Sequence, residues 1–559
     1  MSLVAAGPAG TFPLIRSTRT TPVIQITNPT TRRPARCMLH LPVVLAIAFA
    51  SLVVALTALA RRLPIPTPIL QVVAGLLVAM IPGVAIPELE PDLVFFVFLP
   101  PILWAAAFFT SLREFKANRR AIGYLAVGLV VVTTVAVAFV ARMLLPGLPW
   151  AVAIALGAIV SPPDAVAAAA IVSRLPVPRR VIVILEGESL VNDASALILY
   201  RSAVAAAVTG VFSWGESFVR FFIDAAIGTL IGLLVAWLII RAARWTKDAL
   251  AETLLTLAGP YVAWTLAESI HVSAVLACVA GGLYLRQHLS LSVGPLSRLQ
   301  TRAVWDLFVF LLNAMIFLLL GVEFTTLFKT VPAGQFWPLV GSGMVISLVA
   351  IVIRLIWVPL SQLFPRFFSA EARRKEPAPT AKSLFLVGWT SMRGIVSLAT
   401  ALALPTVLLN GQPFPFRSEI ILITMVVILM TLVVQGLTLE PIIRKFNFEP
   451  EHAHFEEERL ARREATRRSA ETLEDLSREP WVDPQDVLAL RAELRERVRL
   501  HDHHGGTYSR RRLRVGMINA ERRMLVRLRN EGAISDEVLR NLEQELDLEA
   551  VRVGADDLR

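Results

Sequence analysis

The chain has 559 residues, 55% of them hydrophobic, with a mean hydropathy of +0.62 and a formal net charge of +11. A hydropathy this high excludes an ordinary soluble domain. The positive charge does not indicate nucleic acid as a partner, because the arginines fall mostly in loops and in the carboxy-terminal region, as membrane topology requires. The two cysteines, Cys37 and Cys278, provide neither a disulfide framework nor a metal-binding spacing.

Apolar segments fill the chain between residues 39 and 440. The preceding residues 1–38 are rich in Thr, Pro and Arg, which predicts a disordered extension or an over-long start ahead of Met38. From residue 39 onward, apolar runs of about 20 residues follow one another, each long enough to cross a bilayer. We therefore predict an all-α polytopic membrane protein. The thirteen predicted spans are 39–60, 68–86, 91–110, 121–145, 149–173, 181–209, 216–241, 250–269, 272–288, 302–325, 335–363, 380–408 and 416–440.

The loops between these spans alternate in charge. Basic clusters occur in every second connection, for example from Arg113 to Arg120, whereas the intervening loops carry few basic residues. Lys329 and Arg417 are exceptions. By the positive-inside rule, this pattern puts the amino end outside the cell membrane and the carboxyl end in the cytosol.

The composition changes abruptly after the last span. Residues 447–559 are highly charged and predict a cytosolic helical tail. Its four predicted helices are 453–476, 484–502, 508–530 and 535–552. A cluster from His501 to His504 precedes two glycines, which is more typical of an exposed turn than of a metal site.

Three spans carry polar groups that packing alone does not explain, and the first lies in the span 149–173. There Pro162 and Pro163 precede Asp164. Prolines free backbone carbonyls in a membrane helix, and such breaks are tolerated where they line a protected cavity. Asp164 then lies beside oxygen ligands suited to a hard cation such as Na⁺ or K⁺. The alternative is a structural kink in which Asp164 caps the new half-helix.

The second polar stretch runs from Glu186 to Asp193 between apolar residues. Glu188 and Asn192 are four residues apart, as are Ser189 and Asp193, so each pair lies on one face of a helix. A carboxylate at membrane depth is costly unless it faces a partner or a watery cavity. Such residues usually mark an ion or proton path.

The third stretch, Gly388 to Gly394, interrupts the span 380–408. Arg393 within it needs an anionic partner, because its charge cannot be discharged. We predict that Glu188 is this partner and that Gly388 and Gly394 belong to the break. Broken segments in both halves of a transporter point to its binding site.

These motifs, with Phe98-Leu-Pro-Pro-Ile-Leu103 upstream, resemble the bacterial sodium/proton exchangers of the monovalent cation:proton antiporter superfamily, in the electroneutral branch that carries an Asn-Asp pair. The resemblance covers roughly residues 40–440. It implies thirteen helices in two inverted repeats, with two broken helices crossing in the core. It also implies a second bundle that forms a homodimer interface.

The resemblance also implies roles for individual residues. Asp193 alternately binds the cation and a proton. Asp164 and Ser189 also bind the ion, Asn192 orients the site, and the ion pair predicted above ties the core together.

Two positions depart from the pattern of the family. Many relatives have Thr-Asp-Pro where this chain has Pro163-Asp164-Ala165, so no threonine hydroxyl is available there. Relatives often have an acidic residue where Ala105 follows Trp104. The resemblance therefore carries over no role for a threonine hydroxyl or an acidic side chain at these two positions.

The sequence thus predicts a secondary active antiporter, not an enzyme, that exchanges Na⁺ for H⁺ one for one and serves pH and sodium homeostasis. It contains no Gly-x-x-x-x-Gly-Lys-Ser/Thr run for nucleotide binding, so the ion gradients drive coupling, and no cofactor is expected. Exchange of K⁺ for H⁺ by the same residues is the nearer alternative, since both cations take oxygen ligands. An ion channel or an organic-solute transporter is the more distant one.

Overall fold

The structure is a computed structural model, and it describes residues 36–553 except 64, 82–93, 173–174, 211–213, 247, 290–293, 369–378, 410, 449–451, 503–506, 532 and 534–535. Within these residues the regular structure is helical, and β pairing is confined to one isolated bridge between Val407 and Pro413. The predicted all-α fold is confirmed. The predicted disordered extension lies outside the described residues, apart from residues 36–38, which form the start of the first helix instead.

Sixteen helical segments make up the apolar part of the described chain. They are α1 (Arg36–Ala60), α2 (Thr67–Ala79), α3 (Leu99–Phe109), α4 (Leu112–Ala117), α5 (Arg119–Leu144), α6 (Trp150–Val160), α7 (Ala165–Val172), α8 (Arg179–Thr209), α9 (Trp214–Thr246), α10 (Ala249–Ser269), α11 (Ala274–Leu289), α12 (Pro295–Thr330), α13 (Ala333–Phe368), α14 (Ala381–Trp389), α15 (Ile395–Leu402) and α16 (Arg417–Phe446).

Each predicted span overlaps one of these helices, except that 149–173 and 380–408 are each divided into two. In the part of the chain that the structure describes, five helices are long and apolar enough to cross a membrane. They are Arg119–Leu144, Phe222–Thr246, Ser297–Thr325, Gly334–Leu363 and Arg417–Phe446. The exact number of crossings and the inverted repeats stay predictions.

Several helices are longer than the apolar runs that predicted them. Helix α12 begins seven residues before the predicted span 302–325, and α13 continues five residues beyond 335–363. The residues added to α12 include Arg298, Gln300 and two leucines, which are good helix formers. Hydropathy therefore locates the membrane-facing part of a helix and not its ends.

Proline shapes the start of α3. A π-helical turn, Val94–Phe98, runs directly into this helix, whose first turn contains Pro100 and Pro101. Pro101 has no N–H to donate to the carbonyl of Val97 four residues earlier. The hydroxyl of Tyr261 on α10 donates to this carbonyl instead, at 3.2 Å.

A large apolar core joins α3, α9, α10, α11 and α12. Trp104 and Trp305 are fully buried in it, and Trp305 Nε1 donates to Thr256 Oγ1 at 3.1 Å. Ala105 is also buried in this cluster, 3% exposed. The position where relatives often carry an acid is thus part of an apolar core in this chain.

The chain divides into two compact units. One comprises residues up to 171, 186–376 and 388–439, and it contains every residue of the site described below. The other comprises 172–185, 377–387 and 440–559. Its four carboxy-terminal helices match the four predicted helices to within two residues at either end. They are α17 (His452–Leu476), α18 (Pro484–Asp502), α19 (Thr507–Asn530) and α20 (Asp536–Val553).

These four helices form two hairpins. Helix α17 packs on α18, and α19 packs on α20. Ile518 of α19 and Leu539 of α20 are buried. The exposed faces carry ion pairs such as Arg514 Nε to Glu549 Oε1, at 3.0 Å.

Candidate functional site

The first break separates α6 from α7, and its cause is proline. Helix α6 ends at Val160 and α7 begins at Ala165. Pro162 and Pro163 have no N–H, so each leaves a carbonyl of the preceding turn without its helical partner. One of these, the carbonyl of Ala158, accepts a hydrogen bond from the hydroxyl of Ser161 at 3.1 Å.

The second break separates α14 from α15. Helix α14 continues through Gly388 to Trp389, and α15 begins at Ile395. Gly388 was predicted to belong to the break, and this is wrong. It lies inside α14 and packs closely against Leu355 of α13. The break is the segment 390–394, which ends with Gly394.

The two breaks are in direct contact. The N–H of Asp164 donates to the carbonyl of Met392 at 2.6 Å, and Arg393 Nε donates to the carbonyl of Val160 at 3.0 Å. The carboxylate of Asp164 lies against Gly394, where an added Cβ atom would overlap Oδ2. Only glycine permits this approach.

Helix α8 supplies the Asn-Asp pair beside the first break. Asn192 Nδ2 donates to the carbonyl of Pro163 at 3.0 Å, so a backbone oxygen of the break is held by α8. In the described part of the chain, Asn192 Oδ1 has no hydrogen-bond partner. Asp193 is 6% exposed, and its carboxylate interacts electrostatically with that of Asp164. Ser189 lies one helical turn before Asp193 and is partly buried.

Glu188 has a different partner from the one predicted. Its carboxylate accepts from both terminal nitrogens of Arg354 on α13, through an Nη1–Oε1 bond and an Nη2–Oε2 bond of 2.8 Å. Both side chains are 1% exposed. The predicted pairing of Glu188 with Arg393 is therefore wrong, because Glu188 pairs with Arg354 while the guanidinium of Arg393 donates to Val160 and Ser391.

Arg393 is bound by oxygens of the breaks. Besides the carbonyl of Val160, its guanidinium donates to the carbonyl and hydroxyl of Ser391. Its own backbone N–H donates to Thr431 Oγ1 on α16 at 3.1 Å. The fixed donors of a guanidinium suit the carbonyls that interrupted helices leave free. Arg393 thus joins the second break to the first and to α16, and its charge acts on Glu188 only at longer range.

Sequence reasoning missed Arg354 and Thr431. Arg354 carried a usable signal, since it is a lone arginine within the apolar run from Ile351 to Trp357. Thr431 carried none, because a threonine in a membrane helix usually bonds its own backbone. Its hydroxyl does so here as well, donating to the carbonyl of Val427 at 2.8 Å.

The site offers oxygen ligands and nothing softer. Carboxylates, an amide oxygen, hydroxyls and backbone carbonyls suit hard cations or protons. In the described residues no three His, Cys, Asp or Glu side chains are arranged to hold a metal ion. His503 and His504 of the tail cluster lie outside those residues.

Comparison with known proteins agrees with this chemistry. Residues 47–445 match the family of transmembrane sodium/hydrogen exchangers. An uncharacterized Na⁺/H⁺ exchanger of Mycobacterium tuberculosis is 33% identical over 525 residues, covering 91% of this chain and 96% of that protein. A sodium, potassium, lithium and rubidium/H⁺ antiporter of Bacillus subtilis is 30% identical over 494 residues, covering 86% of this chain and 73% of that protein.

A solved structure supports the fold. The sodium proton antiporter MjNhaP1 from Methanocaldococcus jannaschii, solved at pH 8, gives a TM-score of 0.57 with 19% identity. The similarity covers 73% of this chain and 99% of that one. With two broken helices in contact and the family match spanning most of its length, the chain is a multi-pass membrane protein that belongs to the sodium/hydrogen exchanger family.

Proposed function

We propose that the protein exchanges a monovalent cation for a proton at the junction of the two broken helices. The observation that carries this proposal is the placement of Asp164 and Asp193. Two interacting carboxylates lie in the apolar part of the chain, beside a break whose backbone is held by Asn192. Carboxylates that act on each other in an apolar environment are stabilised when a cation or a proton neutralises one of the two charges.

The exchange follows from competition for one site. When a cation binds, Asp164, Asp193, Ser189 and Asn192 Oδ1 supply oxygen ligands. When the cation leaves, a proton on Asp193 replaces the positive charge that the cation supplied. Two uncompensated carboxylates are costly to move through a low-dielectric barrier, so the site crosses only with a cation or a proton bound. Because Asp193 binds either the cation or the proton, one ion must dissociate before the other can bind and be transported.

Arg393 and the Glu188–Arg354 pair have a supporting role in this mechanism. Arg393 binds the two breaks together through Val160 and Ser391. The ion pair ties α8 to α13 without using the carboxylates of the site. Arg393 and the Glu188–Arg354 pair hold the geometry of the site while the bound cation and the proton exchange.

Sodium is our first choice of cation, and potassium is the second candidate. The relative from Bacillus subtilis is named for sodium, potassium, lithium and rubidium, and this chain is 30% identical to it. Sodium and potassium both take oxygen ligands. The types of ligand residue therefore do not distinguish Na⁺ from K⁺, and a transport measurement with each cation is needed.

We further propose that the exchange is one for one, so that no net charge moves. The ground is that Asn192, not a second acid, precedes Asp193.

The alternating loop charges support an outside amino end and a cytosolic tail. The resemblance to the family supports a homodimer. Chemical crosslinking in membranes tests the dimer, and protease access to the tail in everted vesicles tests the orientation.

Proton flux in everted membrane vesicles tests the function. A pH-sensitive dye is quenched by respiration, and Na⁺, Li⁺ and K⁺ are then added in turn. We expect dequenching with the protein and none with Asp193→Asn, because a neutral amide cannot cycle between proton and cation. Immunodetection of equal membrane levels of the two proteins serves as the control. Normal cation-driven flux in the folded Asp193→Asn protein would overturn the proposal.

A further inference from the structure

Helix α16 carries a polar stripe that the site described above does not use fully. Thr424, Thr431, Gln435 and Thr438 are separated by seven, four and three residues, so they share one face of this helix. The first three are fully buried. Over its most apolar stretch, this helix has the highest mean hydropathy of the five membrane-length helices in the described residues. Burying polar side chains in such a helix costs free energy unless they bind a partner or an ion.

Two members of the stripe fix what it faces. Thr431 Oγ1 accepts from the N–H of Arg393 at 3.1 Å, and Thr438 Oγ1 accepts from Trp389 Nε1 at 3.0 Å. Gln435 lies between them on the same face. It therefore lies at the level of the second break, whose carbonyl at Met392 already accepts from Asp164.

Gln435 is the member that leaves two polar atoms without a partner among the described residues, whereas Thr424 leaves one. It is 0% exposed, and neither its Nε2 nor its Oε1 atom forms a hydrogen bond with any described residue. A buried amide normally has hydrogen-bond partners, and leaving both ends unpaired costs free energy. An apolar residue of the same volume would remove that cost. We infer that the amide of Gln435 serves the ion and not the fold.

We propose that Gln435 is a further cation-binding residue, whose Oε1 contacts the monovalent cation directly or through one water while it occupies the site of Asp164 and Asp193. This proposal rests on the exchange function proposed above. An amide oxygen is a suitable ligand for a hard cation and adds no charge to the site. The residue would therefore set the affinity for the cation without changing the number of charges exchanged.

Two variants separate an oxygen ligand from a packing role. Gln435→Met conserves the length of the side chain but removes the oxygen. Gln435→Glu keeps an acceptor oxygen in either protonation form but removes the amide donor. The matched control is Thr424→Val, which deletes another buried, unpaired polar atom from the same face. That position is roughly 16 Å away along the helix axis.

The measurements are the cation-induced rise in melting temperature of purified protein and the cation dependence of proton flux in vesicles. For Gln435→Met we expect the half-maximal Na⁺ or K⁺ concentration to rise about tenfold, the loss of one ion-directed contact. Its melting temperature without cation should equal or exceed that of the wild type. Thr424→Val should keep the half-maximal concentration of the wild type. Gln435→Glu, which keeps an acceptor oxygen, should still show a cation-induced rise in melting temperature.

Unchanged cation affinity in Gln435→Met would overturn the proposal. If its melting temperature fell at the same time, Gln435 would have a packing role only. Should the methionine variant fail to fold, the glutamate variant decides, since loss of the cation response in folded Gln435→Glu would also overturn it. Failure of the exchange function is a separate result. It would show as a wild-type protein with neither cation-driven flux nor a cation-induced melting shift.

Discussion

Asp164 lies directly against Gly394, and this approach depends on the missing Cβ of glycine. The carboxylate occupies the space that any larger residue at position 394 would fill. The N–H of Asp164 is bound at the same time to Met392. A change at position 394 thus reaches the ion site without altering any ligand.

We predict that Gly394→Ala reduces cation-driven proton flux at least about tenfold, because displacements of about 1 Å at a reactive site can have effects of that size or larger. Flux in everted vesicles measures the loss. The control is Gly341→Ala in α13, where an added Cβ meets no atom within 4 Å. That variant should transport normally. Equal activity of the two variants would mean that Asp164 does not rest against Gly394 during transport.

At this scale the sequence predicts which residues bear charge at membrane depth, but not all of their partners. The prolines at 162 and 163 predict the first break, and the structure places the break between Val160 and Ala165. Glu188 and Arg393 were paired because both are buried charges of opposite sign. The choice between Arg393 and Arg354 depends on how α13 packs against α8, and residue spacing along the chain does not contain that information.

At the scale of elements, hydropathy predicts the helices well and their ends poorly. Every predicted span overlaps a helix, yet α12 and α13 continue past their apolar runs. The second break also begins later than glycine content suggests. Gly388 lies within α14, and its small size lets this helix pack closely against Leu355. A glycine in a membrane helix therefore indicates a break or a close contact, and only the fold distinguishes them.

The Glu188–Arg354 pair links α8 to α13, and we predict strong coupling between its members. Glu188→Ala or Arg354→Ala alone strands a buried charge, which typically costs about 3–5 kcal/mol. The double variant should be destabilised by much less than the sum, since both losses have the same origin. Thermal melting in detergent measures the three variants.

The comparison for this prediction is Glu188→Ala combined with Arg393→Ala. Glu188 forms no direct ion pair with Arg393 among the described residues, so this combination should show much weaker coupling. Simple additivity for the Arg354 combination would mean that the observed ion pair does not stabilise the protein.

At the scale of the whole molecule, one shared site makes proton and cation mutual competitors. We predict that the apparent affinity for the cation falls as the pH falls, by up to about tenfold per pH unit where one proton displaces one cation. Raising the cation concentration should restore the maximal rate. Flux measured over a grid of pH and Na⁺ concentration tests this. A lower maximal rate at acidic pH with unchanged affinity would contradict competition.

Proton release on cation binding tests the central claim most directly, because it needs neither a membrane nor a gradient. Purified protein in weak buffer, at a pH where the site is still protonated, receives Na⁺ or K⁺ while a dye reports free protons. We predict release approaching one proton per chain, with none from Asp193→Asn. Proton release from the folded Asp193→Asn protein equal to that of the wild type would contradict the account.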